Sequence, residues 1–278
     1  MLNLSLKARA DRTTATDVLI LHQRELSAGG RFLVVGDIHG EFEMLLRVLA
    51  SAQYNEDRDI LISVGDLIDR GPNCVEVVKF FLDHPRRVCI LGNHEGFLLE
   101  AFGRSGGPYY WFSQGGRWAE QAGDNLKLFY DSMTQFPLVV ELVLEGPVSR
   151  IGIVHGEVPI GSVWADVHDL HIARDQIGYI FDTPARGWFC GRRRITLAAM
   201  AQDWMDSPEG TFPFEADELA TPGIDLVISG HSIMPHRLPY RSSNHLWIDT
   251  GAFEHKQGGR LSVVDPVSET YWQVSSDE

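Results

Sequence analysis

The stretch Phe32-Leu33-Val34-Val35-Gly36-Asp37-Ile38-His39-Gly40 decides how the chain is read. Four consecutive apolar residues closed by glycine predict a short strand buried on both faces. The Gly-Asp-x-His-Gly that follows puts two polar, metal-competent side chains in the turn at the strand's carboxyl end. From Glu41 to Ala52, Phe42, Leu45, Leu46 and Leu49 recur at i, i+3, i+4 and i+7, the stripe of an amphipathic helix. The unit then repeats. Ile60 to Val64 predicts a second strand, and Cys74, Val77, Val78, Phe81 and Leu82 stripe a second helix; Val88 to Leu91 and Glu95 to Phe102 supply a third strand and helix. Strands alternating with helices predict right-handed βαβ crossovers and a parallel sheet. Such sheets bind ligands beyond the carboxyl ends of their strands, where the polar turns lie.

Outside this region the pattern changes. Residues 1 to 30 are polar and Thr-rich and are taken as an N-terminal extension before a domain at 31 to 274. Residues 275 to 278 are expected to be a frayed acidic tail. Leu138 to Leu144 and Arg150 to Val154 flank Glu145-Gly146-Pro147 and predict a hairpin. Asp225 to Ile228, Leu246 to Ile248, Leu261 to Val264 and Tyr271 to Val274 are further short strands. Residues 103 to 133 and 162 to 222, rich in Gly, Trp, Tyr and Asp, are expected to be helical or loop insertions near the site. The chain has 278 residues and a formal charge of -14. That acidity demotes nucleic acid and anionic membranes as partners, because both require a basic face. No run approaches the roughly 18 apolar residues of a membrane span. Cys74, Cys89 and Cys190 form neither a CxxC pair nor an even set, so a reducing cytoplasm is the expected compartment.

Three successive turns carry ligand-type residues: Gly36 to Gly40; Gly65-Asp66-Leu67-Ile68-Asp69-Arg70-Gly71; and Gly92-Asn93-His94-Glu95. Val154-His155-Gly156 and Ser229-Gly230-His231-Ser232 follow. Asp37 and His39 alternate and can face one ion. Asp66 has two carboxylate oxygens and can bridge a pair of cations, with Asn93, His155 and His231 completing the second. Taken singly, Asp37 reads as a turn or cap residue and His155 or His231 as a core histidine; five turns in order reverse that. A mixed carboxylate and imidazole set without thiolate suits Mn²⁺, Fe²⁺ or Zn²⁺.

GDIHG, GDLIDRGP, GNHE, VHG and SGH together resemble the PPP-type serine/threonine phosphoprotein phosphatases, in their bacterial and phage branch, over about residues 31 to 265. The resemblance implies an α/β chain with the calcineurin-like metallophosphoesterase fold, a central β sandwich flanked by helices in α/β/β/α layers. It implies one metal on Asp37, His39 and Asp66 and a second on Asp66, Asn93, His155 and His231, with Mn²⁺ foremost. It also implies His94 as general acid, Asp69 as its partner, Arg70 as a phosphate clamp, and a second clamp for which Cys190-Gly191-Arg192 is the best match, with Arg193 and Arg194 adjoining.

Two divalent cations and two clamping arginines leave a net positive pocket suited to a phosphomonoester dianion, and the metals lower the pKa of shared water toward neutrality. The expected substrates are phosphoproteins or phosphopeptides, attacked directly by a metal-bridging hydroxide. A symmetrical dinucleoside tetraphosphatase shares the motifs and is the alternative, with a non-catalytic phosphate-binding module behind it. Departures from the family are Glu157 and Pro159 after His155, expected to alter loop shape or charge around the second metal, and the absence of the eukaryotic SAPNY-type tail. His168, Asp169, His171 and Asp175 are read as a solvated face and not as a third metal cluster. The aromatic run Tyr109 to Phe112 is read either as core or as a wall of the substrate cleft.

Overall fold

The computed structural model describes residues 17–103, 107–170, 177–205 and 219–277. Strand β2 is Phe32–Val35 and β3 is Ile60–Ser63, paired in parallel from Phe32 opposite Ile60 to Val35 opposite Ser63. Their side chains alternate between two apolar environments. Phe32, Val34, Ile60 and Ile62 point into a core shared with a second sheet, while Leu33, Val35 and Leu61 pack against helices. This double burial is why the strands read as unbroken apolar runs. A one-residue slip would exchange the two sets, so each buried side chain, worth about 1.5–3 kcal/mol, also fixes register.

The helices that cover this first sheet are α1, Phe42–Ser51, and α2, Cys74–Leu82. They bury Met44, Leu45, Val48 and Leu49, and Val77, Val78 and Phe81. Strand β4, Arg87–Cys89, and helix α3, Asn93–Gly103, complete the third repeat. With β10, Arg260–Asp265, and β11, Thr270–Ser275, the sheet runs β11-β10-β2-β3-β4.

The second sheet contains the expected hairpin, β5 (Val139–Val143) and β6 (Arg150–Val154), antiparallel from Val139 opposite Val154. Strand β7, Leu226–Ser229, lies parallel to β6. Val140, Leu142, Ile151, Ile153, Leu226 and Ile228 face the first sheet. The result is the two-sheet sandwich with helices outside that the family resemblance implied.

Two strands were not foreseen. Val18–His22 (β1) lies within the segment read as N-terminal extension and pairs in parallel with β5, Val18 opposite Val139. Its five residues include only two buried side chains, Val18 and Leu21, so it carries no long apolar run. Tyr240–Ser242 (β8) is an edge strand with no buried residue, beside β9, His245–Trp247. The sheet order is β1-β5-β6-β7-β9-β8. The first insertion forms α4 (Tyr109–Ser113), a 3-10 turn (Gly116–Gln121) and α5 (Asn125–Met133). The described part of the second includes α6 (Arg186–Cys190) and α7 (Arg193–Met205). Among the described residues no helix is long and apolar enough to cross a membrane, and the three cysteines are free thiols.

Candidate metal centre

The carboxyl ends of β2, β3 and β4 and of β6 and β7 converge across the sandwich, so five turns from two sheets meet. The backbone is distorted there. Of the nine non-glycine residues with positive φ among the described residues, five are His39, Asp66, Asp69, Arg70 and His231. Each conformation costs about 1–3 kcal/mol and persists only where packing over-determines it. Two glycines make the approach possible: a Cβ on Gly92 would collide with the carboxylate and amide nitrogen of Asp66, and one on Gly230 with the carboxylate of Asp37.

Asp66 sits at the centre, 2% exposed. Its Oδ1 lies 3.3 Å from His155 Nε2, and its Oδ2 lies 3.5 Å from His39 Nε2 and 4.0 Å from His94 Nε2. His39 Nδ1 is 2.9 Å from the Ile68 carbonyl and His155 Nδ1 is 2.8 Å from that of Val64. Those carbonyls hold the Nδ1 protons, so in the neutral rings the Nε2 lone pairs face Asp66. Lone pairs set against carboxylate oxygens at this range repel unless a cation or a proton lies between them.

Among the described residues the tight groups of His, Cys and carboxylate donor atoms are His39, Asp66 and His94, and Asp66, His155 and His231. Asn93 Oδ1 stands 2.9 Å from His155 Nε2. Asp37 lies beside them, accepting the His231 backbone N–H at 3.0 and 3.1 Å. Of the expected histidine and aspartate ligands, Asp37 is thus the one outside the tight groups, and His94 falls inside them by distance.

The electrostatics follow from burial. Desolvation, then Asp249, raises the Asp37 carboxyl well above the usual range. Burial opposes ionisation of Asp66 too, but His155 and His94 outweigh it and hold it well below. Burial likewise works to neutralise His155, yet Asp66 overrides it and pushes the imidazole up to about 10; His231, desolvated beside His155, is pushed down to about 3. The proton that His155 retains occupies the role a cation would take, so metal binding here is expected to release protons. Buried oxygen and imidazole donors around a shared carboxylate fit a pair of divalent ions.

This arrangement has relatives. The sequence model for calcineurin-like phosphoesterases matches residues 30–235. The chain belongs to that family. It is a hydrolase acting on phosphate esters, and members use a dinuclear divalent metal centre. Serine/threonine-protein phosphatase 2 of Escherichia coli K12 is 29% identical over 233 residues, covering 82% of this chain and 89% of that protein. The symmetrical bis(5'-nucleosyl)-tetraphosphatase of Coxiella burnetii is 38% identical over 66 residues, covering 24% of this chain and 23% of that protein. A solved serine/threonine phosphatase from Saccharomyces cerevisiae shares the fold with a TM-score of 0.59 at 15% identity, covering 94% of this chain and 81% of that chain.

The remaining candidates in this phosphoesterase separate clearly. His94 Nδ1 lies 2.6 Å from Asp69 Oδ2. Arg70 reaches 2.9 Å from His39 Nε2, with its guanidinium 4.2 Å over the Phe253 ring. Arg192 is exposed and touches the His231 carbonyl at 3.4 Å. It borders a cavity of about 450 Å³ lined also by Asn93, His231, Phe97, Tyr110 and Phe181. Arg194 goes elsewhere: it is 1% exposed, and its guanidinium donates to the carbonyls of Val158, Leu219 and Ala220. Glu157, expected to alter loop shape or charge around the second metal, turns its carboxylate to a helix N-terminus. It accepts the N–H groups of Arg194 and Ile195 at the start of α7 and the Trp247 indole at 3.1 Å, and so caps that helix.

Sequence reading gave no role to Glu95 or Trp118, and took Trp111 with its aromatic neighbours as core or cleft wall. Glu95 is fully buried and accepts the N–H groups of Asp66, Leu67 and Gly92 at 2.8, 2.8 and 2.9 Å, tying two ligand turns together. Trp111 and Trp118 donate to Asp69. The signal for Glu95 was its place three residues after Gly92. Nothing local marked the tryptophans. His168 stands 3.8 Å from Glu141, while His171 and Asp175 lie outside the described residues.

Proposed function

We propose that this phosphoesterase is a metal-dependent protein serine/threonine phosphatase working with two divalent cations, Mn²⁺ foremost. The observation that carries the reading is Asp66, one buried carboxylate whose two oxygens face different imidazole sets. Asp37, His39 and Asp66 would hold one ion, and Asp66, Asn93, His155 and His231 the other. When bound, the pair supplies acidified water and neutralises phosphoryl charge. Arg70 and Arg192 would grip the non-bridging phosphate oxygens, which gain charge as the bond to the leaving group stretches. His94 would give its proton to the departing alkoxide, with Asp69 orienting the ring from the far side. Support for a phosphoprotein substrate is the near full-length similarity to an enzyme named as a protein phosphatase; similarity to the tetraphosphatase covers 66 residues.

The test is a substrate panel on Mn²⁺-loaded protein: phosphoserine and phosphothreonine peptides, p-nitrophenyl phosphate and a dinucleoside tetraphosphate. Phosphate release from the peptides supports the proposal. Cleavage of the dinucleotide alone, into two nucleoside diphosphates, replaces it with the second reading. Binding without turnover of any member would leave only a phosphate-binding module.

A further inference from the structure

Asp69 is completely buried, and four contacts converge on its carboxylate. Trp118 Nε1 donates to Oδ1 at 2.7 Å, Trp111 Nε1 is shared between Oδ1 and Oδ2 at 3.0 Å each, and His94 Nδ1 meets Oδ2 at 2.6 Å. Neither tryptophan belongs to the strand-and-turn scaffold that holds the candidate metal ligands. Both come from the inserted segment, Trp111 from α4 and Trp118 from the 3-10 turn.

The connection between them is built for this contact. A Cβ on Gly116 would fall 2.5 Å from the Trp111 ring, and one on Gly115 would fall 2.7 Å from the Arg70 amide nitrogen, so both positions exclude a side chain. The indoles lie edge to face, with centroids 6.0 Å apart, and Trp118 rests on Phe129 of α5.

A carboxylate held by one imidazole alone remains free to rotate about its last bond, where the torsional preference is broad. Two indole donors, one on Oδ1 and one shared by both oxygens, fix its plane. The His94 ring is thereby aimed, Nδ1 toward Asp69 and Nε2 toward Asp66 at 4.0 Å. We propose that Trp111 and Trp118 are positioning residues which, through Asp69, set the direction in which His94 delivers its proton to the leaving group. The inference rests on the phosphatase reading for its chemistry, but the indole–carboxylate geometry stands apart from it.

Trp111→Phe and Trp118→Phe keep an aromatic ring and remove the donor. An alkoxide leaving group needs the proton and p-nitrophenolate hardly does, so the two substrates should respond differently. Each variant is expected to lower kcat on a phosphoserine peptide about tenfold, with at most about a twofold loss on p-nitrophenyl phosphate and unchanged bound Mn²⁺. Equal losses on both substrates, or none on either, would overturn the proposal; the first outcome means the rings only pack. A second measurement covers variants that fail to fold. In the indole region of a ¹H–¹⁵N spectrum, Asp69→Asn should shift the Nε1–H signals of Trp111 and Trp118. Unmoved signals overturn the clamp even if the wild-type protein is active. Shifted signals, where the wild-type protein hydrolyses neither substrate, support the clamp and overturn the phosphatase reading.

Discussion

Gly92→Ala adds one methyl group at the point where two ligand turns touch. Its Cβ would overlap the Asp66 carboxylate and amide nitrogen and fall 2.7 Å from Glu95 Oε2. None of these atoms can retreat alone. Asp66 Oδ1 accepts the His94 N–H at 2.9 Å, and Glu95 Oε2 accepts the N–H groups of Asp66 and Gly92. Relief therefore requires the β3 and β4 turns to separate by the better part of an ångström. Overpacking of this kind costs about 1–3 kcal/mol, and losing one buried, charge-assisted hydrogen bond adds roughly 1.5–3 kcal/mol. The expected destabilisation is about 2.5–6 kcal/mol, read by urea or thermal denaturation. Moving the central carboxylate by about 1 Å should also cut turnover on the order of 100-fold and Mn²⁺ affinity about 10- to 100-fold. Gly123→Ala is the control, because nothing lies within 4 Å of its Cβ and only its φ of +55° is at issue. That variant should lose about 1–2 kcal/mol of stability and no metal affinity. A Gly92→Ala protein that binds Mn²⁺ and turns over like the wild type would refute the reasoning.

Three further outcomes are expected. Asp66→Asn should lose bound Mn²⁺ and activity together, whereas His94→Asn should lower turnover with metal content largely kept; equal metal loss, measured by elemental analysis, would make His94 a ligand, as its proximity to His39 and Asp66 allows. Arg192→Ala should raise KM for a phosphopeptide about tenfold, and Arg193, also exposed, should tolerate the same change without effect on KM. His245 is fully buried, with Nε2 2.8 Å from Thr221 Oγ1, and burial followed by Arg194 pushes its pKa from 6.5 to about 3. Below pH 6.5 the unfolded chain therefore gains a proton that the folded one refuses. Stability should fall as pH drops through the interval, by roughly 2 kcal/mol from this group at about pH 5. A stability profile from pH 7 to 5 that is no flatter in His245→Gln than in the wild type would contradict this.

The sequence was most legible where one physical demand acted on adjacent residues. Double burial writes an apolar run, and a ligand-bearing turn writes Gly-Asp-x-His-Gly, so β2, β3 and most of the centre could be read locally. Strand β1 escaped because an edge strand needs only Val18 and Leu21 inside. The arginine triplet could not be sorted because Arg192 and Arg194 differ only in what the fold brings to them. One faces the cavity beside His231. The other is enclosed by carbonyls from 158, 219 and 220. The cap made by Glu157 was hidden for the same reason, since the helix it caps begins 36 residues later. Trp111 and Trp118 are the sharpest case. An indole in an aromatic-rich insertion has no local mark that separates packing from donation, because its partner, Asp69, is more than 40 residues away in sequence. The motifs thus announce which atoms gather at the centre, whereas the groups that orient those atoms come from segments whose local sequence is dictated by packing. Substitutions that spare every motif residue yet change the chemistry should therefore concentrate in the insertion that carries the two indoles.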